Sequence, residues 1–241
     1  MLKTLYEKCY VAPYVRHAWV DDRAVILDLH SESYFALDPT ASQIWLQVTL
    51  QNTREESLRN LKERYSADAA RVEADVDAFV QRCLTAGLLT DRQSTLPQTN
   101  GESAQRGPAR GLFSIRAWWC LFHTTRGLSR HGFFRTYKAA LRMAKPKEDR
   151  AGHRGKLLSK AVRAFARAEN YFYLKKAPRD CLPRSLALFR FLRSVGLPAE
   201  HCIGVQQFPF LAHAWTQCCG HVVHEDSSNP ERFTIIARIS A

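Results

Sequence analysis

The sequence predicts an α+β protein of two domains, and three observations carry that prediction. Residues 1–92 run as three short strand patterns followed by three helical ones, residues 93–110 are polar and rich in turn formers, and residues 111–241 run as helices followed by strands. Blocks of strands and blocks of helices, rather than strict alternation, mark the α+β class. The 241 residues, 46% of them hydrophobic, are enough to bury two cores.

The first domain is justified element by element. Val15–Val20 and Ala24–Leu29 flank Asp21-Asp22-Arg23, a hairpin turn, and Ser33–Leu37 gives a third short strand. Asp38-Pro39-Thr40 starts a helix with Ile44, Trp45 and Val48 on its apolar side. Thr53-Arg54-Glu55-Glu56 has the form of a capping box, followed by Leu58, Leu61 and Tyr65 as inward residues. A third helix from about Ala69 to Ala86 carries Val72, Val76, Phe79, Val80 and Cys83, and Gly87-Leu88-Leu89 closes the domain. Three strands and three helices in this order make a winged-helix-like unit.

Residues 93–110 have the composition of a flexible linker. Helical patterns follow at about 112–130, 132–144 and 153–174, the last with Leu157, Leu158, Ala161, Val162, Phe165 and Ala168 on one side. Trp118 and Trp119 read as core. The next helix opens at Asp180-Cys181-Leu182-Pro183, with Leu182, Leu186, Phe189 and Leu192 on one face, and stops at Gly196 and Pro198. Residues 201–207, 210–217, 221–225 and Phe233–Ile239 read as strands.

Chemistry concentrates in residues 180–226. A cysteine at a helix start faces unpaired backbone N–H groups and the positive end of the dipole, which favours the thiolate. His213 lies mid-strand between two alanines that leave room beside its ring, as a general base requires, and Glu225 or Asp226 can hold the other ring nitrogen. Strand alternation puts these two acids on opposite faces, so normally one of them reaches His213. Taken singly, a helical cysteine is more often a small core residue and a strand histidine a satisfied core polar group. Their order and context favour a joint catalytic role. A zinc cluster of Cys218, Cys219, His221 and His224 is the rival reading, but its spacing fits no common zinc pattern and alternation separates the two histidines.

Charge and cysteine usage bound the partners. Residues 1–92 hold 11 Lys and Arg against 14 Asp and Glu, a net of −3, and the remainder holds 24 against 9, a net of +15. The winged-helix-like unit is therefore acidic, and its third helix carries Glu73, Asp75 and Asp77, which phosphates repel; nucleic acid is not the expected partner. No stretch approaches a membrane span or a signal sequence, and the seven cysteines are odd in number and lack a CxxC pair, so a cytoplasmic protein with reduced thiols is expected.

Cys181-Leu182-Pro183-Arg184-Ser185-Leu186-Ala187-Leu188, Ile203-Gly204-Val205 and Pro209-Phe210-Leu211-Ala212-His213-Ala214-Trp215 together resemble the leader peptidase of lasso-peptide biosynthesis, the B protein. The resemblance implies a papain/transglutaminase-like fold for residues 111–241 and a triad built on Cys181 and His213. It also implies removal of the leader from a ribosomally made precursor, for a partner macrolactam cyclase resembling asparagine synthetase, and no cofactor or metal. The family register after Gly220 points to Glu225, while the usual aspartate stands at Asp226. Ser33-Tyr34-Phe35-Ala36-Leu37-Asp38-Pro39-Thr40-Ala41, leading into Ile44-Trp45, resembles the peptide-recognition element of such pathways, related to the small chaperone of pyrroloquinoline quinone synthesis. That resemblance implies a leader bound as an added strand beside the third strand and against the third helix, with Tyr34, Phe35, Val76, Phe79 and Val80 as contacts. A transglutaminase-type acyltransferase or amidase with the same triad is the alternative, and a winged-helix nucleic-acid binder the distant one.

Overall fold

The structure is a computed structural model; it describes residues 8–65, 68–93, 113–143, 154–172, 180–225 and 230–239. The chain divides into two compact units, residues 1–98 and 99–241. The linker expected at 93–110 lies, apart from residue 93, outside the described residues.

In the first unit β2 (Val15–Val20), β3 (Arg23–Asp28) and β4 (Ser33–Ala36) form an antiparallel sheet in the order β2-β3-β4. α1 (Pro39–Thr49), α2 (Arg54–Tyr65) and α3 (Ala69–Thr85) follow. The local signals work as the residues dictate. Asp38 caps α1 by accepting from the Ala41 N–H at 2.8 Å, and Glu56 accepts from the Thr53 N–H at 2.7 Å, so the capping box is closed. Trp45, Ile26, Val76 and Val80 meet in one core with Leu58, Leu61 and Phe79. The acids on α3 have an internal use: Arg54 of α2 contacts Glu73 and Asp77 at 2.6 Å each, stapling α2 to α3. A two-stranded ribbon, β1 (Tyr10–Val11) with β5 (Leu89–Thr90), ties the ends of the domain together, and runs of two residues are too short for a periodicity to show. Tyr65, expected inward, is 40% exposed because it ends α2, where the stripe has already turned off the core.

In the second unit α4 (Phe113–Leu141), α5 (Arg154–Phe172) and α6 (Cys181–Ser194) precede an antiparallel sheet in the order β8-β7-β6-β9. Its strands are β6 (Ala199–Gln206), β7 (Leu211–Cys218), β8 (His221–Val223) and β9 (Thr234–Ile239). α4 is one run broken at Gly132, whose φ of 72° and ψ of 175° lie outside helical space. The break falls where the sequence separates two helical patterns. α6 packs against α4 and α5 on one side and against β6 and β7 on the other. Its expected apolar stripe is therefore an underestimate: Arg184 through Phe189, Phe191, Leu192 and Arg193 are all buried, while Leu182 is half-buried. Trp118 and Trp119, expected in the core, are 38% and 49% exposed; they sit on the outer side of α4 with Phe122 and His123. β8 stops at Val223, two residues short of the strand read from the sequence.

Candidate active site

The candidate nucleophile, Cys181, is positioned by the way α6 begins. Asp180 is the N-cap residue but gives no side-chain capping bond, and Pro183 has no N–H, so the Asp180 side chain leaves the dipole end and the first-turn amides at Cys181 uncapped. The helix is fixed to the sheet by buried polar bonds. Thr216 of β7 donates to the Ser185 carbonyl at 2.8 Å, and Ser185 Oγ meets His201 Nε2 of β6 at 3.0 Å.

His213 is placed by strand register. It stands opposite Gly204 in the β6–β7 pairing, with Trp215 two residues on along the same face. The imidazole lies 13° from the plane of the Trp215 ring at 6.0 Å, and Phe233 flanks it at 5.4 Å. Gly204 is the floor of this clamp. A Cβ there would come within 2.8 Å of both the Trp215 ring and Phe233.

The structure brings Cys181, His213 and Glu225 together. His213 is hydrogen-bonded to Cys181, and its Nε2 lies 3.4 Å from Glu225 Oε1, an ion-pair distance that is long for an aligned hydrogen bond. Nε2 makes no aligned hydrogen bond to the carboxylate, so its link to Glu225 is an ion-pair contact. Burial alone would raise the Cys181 pKa, but hydrogen bonds from His213 and from the Ala214 N–H outweigh it and hold the thiol below its ordinary value. The hydrogen bond to Cys181, and after it the contact with Glu225, raise His213 to about 9 against the opposing effect of burial. Both shifts favour thiolate with imidazolium, the charge state of a reactive cysteine.

Glu225 arrives by a route that strand alternation does not describe. After β8 ends at Val223 the chain turns at His224, whose φ of 60° is left-handed, and the turn delivers Glu225 to the imidazole. Asp226 lies outside the described residues. Reasoning from the sequence missed Glu169, which is fully buried on α5 and contacts both Arg184 and His224. Its signal was present as one acid inside the apolar spacing Ala161, Phe165, Ala168. Among the described residues no group of three or more His, Cys, Asp and Glu is arranged to hold a metal ion, and all seven cysteines are free thiols. His224 turns to Glu169 rather than to Cys218 and Cys219.

The residues expected to contact a leader divide in two. β4 is an edge strand, and on it Tyr34 is half-buried and Phe35 38% exposed. Phe79 and Val80, by contrast, are core residues, since the α3 stripe packs inward on the sheet and α1. Val76 is buried to 1% but lines a cavity of about 200 Å³ with Thr40, Ile44, Tyr65 and Val72.

Comparison with known proteins places these two units. Residues 119–238, which include Cys181, His213 and Glu225, match the transglutaminase-like superfamily model Transglut_core3. Residues 23–89 match the model for coenzyme PQQ synthesis protein D. Over 68 residues the chain is 35% identical to the microcin J25-processing protein McjB of Escherichia coli, a match of 28% of this chain and 33% of that protein. The chain thus spans about a third of the length of this curated relative. A solved structure described as TbiB1 in complex with the TbiA(beta) leader peptide is similar at 29% identity, covering 35% of this chain and 99% of that one, with a TM-score of 0.34.

Proposed function

We propose that this lasso-peptide B protein, a PqqD domain joined to a transglutaminase-like domain, binds the leader of a ribosomally made precursor and removes it by cysteine-peptidase chemistry. The observation that carries the reading is the convergence of Cys181, His213 and Glu225 at the half-buried N-terminal end of α6. The leader pairs as an added strand along the open edge of β4, where main-chain hydrogen bonds are available, with Tyr34 and Phe35 beside it and the Val76 cavity as an apolar pocket. Residues 1–92 serve as the recognition domain and 111–241 as the peptidase domain.

In this mechanism the Cys181 thiolate attacks the scissile carbonyl carbon. The imidazolium of His213 gives its proton to the leaving amine, which departs as the new N-terminus of the core peptide, and the leader remains as a thioester. Neutral His213 then takes a proton from water, and the hydroxide attacks the thioester. The leader leaves as a carboxylic acid, Cys181 departs as thiolate and His213 keeps the proton taken from water, which restores the starting pair. Glu225 holds the ring orientation throughout and stabilises its charged form. The freed amine is the group a partner macrolactam cyclase consumes.

Incubating a lasso-peptide precursor, sought among the neighbouring reading frames, with wild type and with Cys181→Ala, followed by mass spectrometry, tests the reading. Wild type is expected to release the leader and the alanine variant to bind but not cleave it. Cleavage by the alanine variant overturns the assignment of the nucleophile. A product carrying an added amine in place of water would move the chain to the acyltransferases.

A further inference from the structure

Behind the reacting groups lies a buried charge cluster to which the peptidase mechanism gives no task. Glu169 is fully buried on α5. Its Oε1 lies 2.8 Å from Arg184 Nε, and its Oε2 accepts from His224 Nε2 at 2.7 Å. Phe165, one turn earlier on α5, meets the His224 ring edge-on at 5.6 Å. Such clusters are poor stabilisers, because desolvating the charges offsets most of their attraction, and apolar replacements often do as well. Their better-attested use is to fix one geometry.

What the two partners are attached to gives the geometry its meaning. Arg184 stands one turn after Cys181 on α6, and His224 is the residue before Glu225. One carboxylate therefore holds the nucleophile's helix with one oxygen and the acid's neighbour with the other. His224 has the left-handed φ of 60°, which a non-glycine residue keeps where its surroundings impose it. The bond to Glu169 and the ring contact with Phe165 are what impose it here.

We infer that Glu169 is a positioning residue for the catalytic set: it fixes the spacing between the Cys181 turn of α6 and Glu225, and so keeps His213 between them. The inference rests on the peptidase reading of those three residues. The charged and titratable groups facing this region are Arg184 from α6, His213 from β7, His224 and Glu225 after β8, and, through Ser185, His201 from β6.

The test reads the thiolate itself and needs no precursor. Iodoacetamide is the probe: the Cys181 sulfur displaces iodide from its methylene carbon, so the rate follows the thiolate fraction. The rate for the Cys181 peptide is measured by mass spectrometry on the full chain across pH, with circular dichroism confirming the fold. Wild type is expected to react as a low-pKa thiol. Glu169→Gln keeps the shape but places an amide where a carboxylate met Arg184 and His224; its profile is expected to move about one pH unit upward, a loss of about tenfold in rate at neutral pH. His224→Ala should move it similarly, while His224→Gln, which can still donate to Glu169, should restore most of the wild-type profile. An activated wild type with an unmoved profile in folded Glu169→Gln overturns the inference and leaves the peptidase reading standing. If Glu169→Gln does not fold, His224→Ala decides alone, an unmoved profile overturning the inference. A wild type that reacts as an ordinary thiol overturns both readings together.

Discussion

At the scale of single residues the site is a balance of two opposing effects on two groups. Burial disfavours both the thiolate and the imidazolium, and their mutual bond reverses this for the pair. The rate should therefore rise with pH at a value below that of an ordinary thiol and fall as pH passes through about 9, both limbs belonging to the pair rather than to one residue. Glu225→Gln removes the second cause that raises His213. Its alkaline limb should move down toward 6.5, the ordinary histidine value, and turnover should fall by roughly 10² to 10⁴, the upper figure being that of the analogous serine-protease change. A pH–rate series on both proteins checks this, and unaltered turnover would return the assignment to Asp226. Much of this candidate arrangement was legible in the sequence. A cysteine before a proline at a helix start and a histidine between alanines in a strand are local patterns, and local patterns survive in one dimension. The meaning of Gly204 was not, since the crowding that excludes its Cβ comes from Trp215 and Phe233. Glu169 was hidden for the same reason: its partners lie on other elements.

At the scale of elements, α6 is held to the sheet by a buried histidine whose titration has a measurable cost. His201 is fully buried beside Ser185, and burial pushes its pKa down to about 3. Below pH 6.5 the unfolded chain takes up a proton there that the folded chain refuses. The stability this neutral histidine allows is thus complete above pH 6.5 and lost as pH falls toward 3. Between pH 7 and pH 5 the loss should be about 2 kcal/mol. Urea unfolding of wild type and of His201→Gln at the two pH values measures it, with the glutamine variant expected to lose about that much less. Element boundaries show where periodicity stops being informative. The run from His221 to Glu225 alternates well enough to read as strand, yet β8 ends at Val223, because His224 is drawn to α5 and its backbone turns with it. Along α3 periodicity is uninformative in a different way. Phe79 and Val80 belong to the same stripe as Val76, and only packing separates residues that line a cavity from residues beneath it.

At the scale of the whole molecule the two units carry opposite charge, a net of −3 in residues 1–92 and +15 in the rest. Were leader recognition electrostatic, it would fall steeply with salt. The contacts proposed at β4 are main-chain and apolar, so the affinity of full-length Cys181→Ala for a labelled leader should change by less than about threefold between 50 and 500 mM salt. Fluorescence anisotropy measures this, and a decline of tens of fold would place recognition on the basic unit instead. Among the described residues no helix is long and apolar enough to cross a membrane. The two-part α+β fold was legible from the order of elements, because blocks of strand and helix patterns need no tertiary information to be seen.

The open edge of β4 also bears on how the empty protein behaves in a crowded mixture of its own copies. A row of unpaired amides and carbonyls invites another chain to add itself, and two empty molecules offer each other the same invitation. Here the edge is four residues long, Glu32 precedes it with a left-handed φ of 59°, and Asp38 and Pro39 follow it within three residues of Ala36. A short strand turned aside at one end and closed by an acid and a proline is a poor template for fibre growth. The length of the edge thus sets a compromise between being available to a short peptide and being inert toward an endless one.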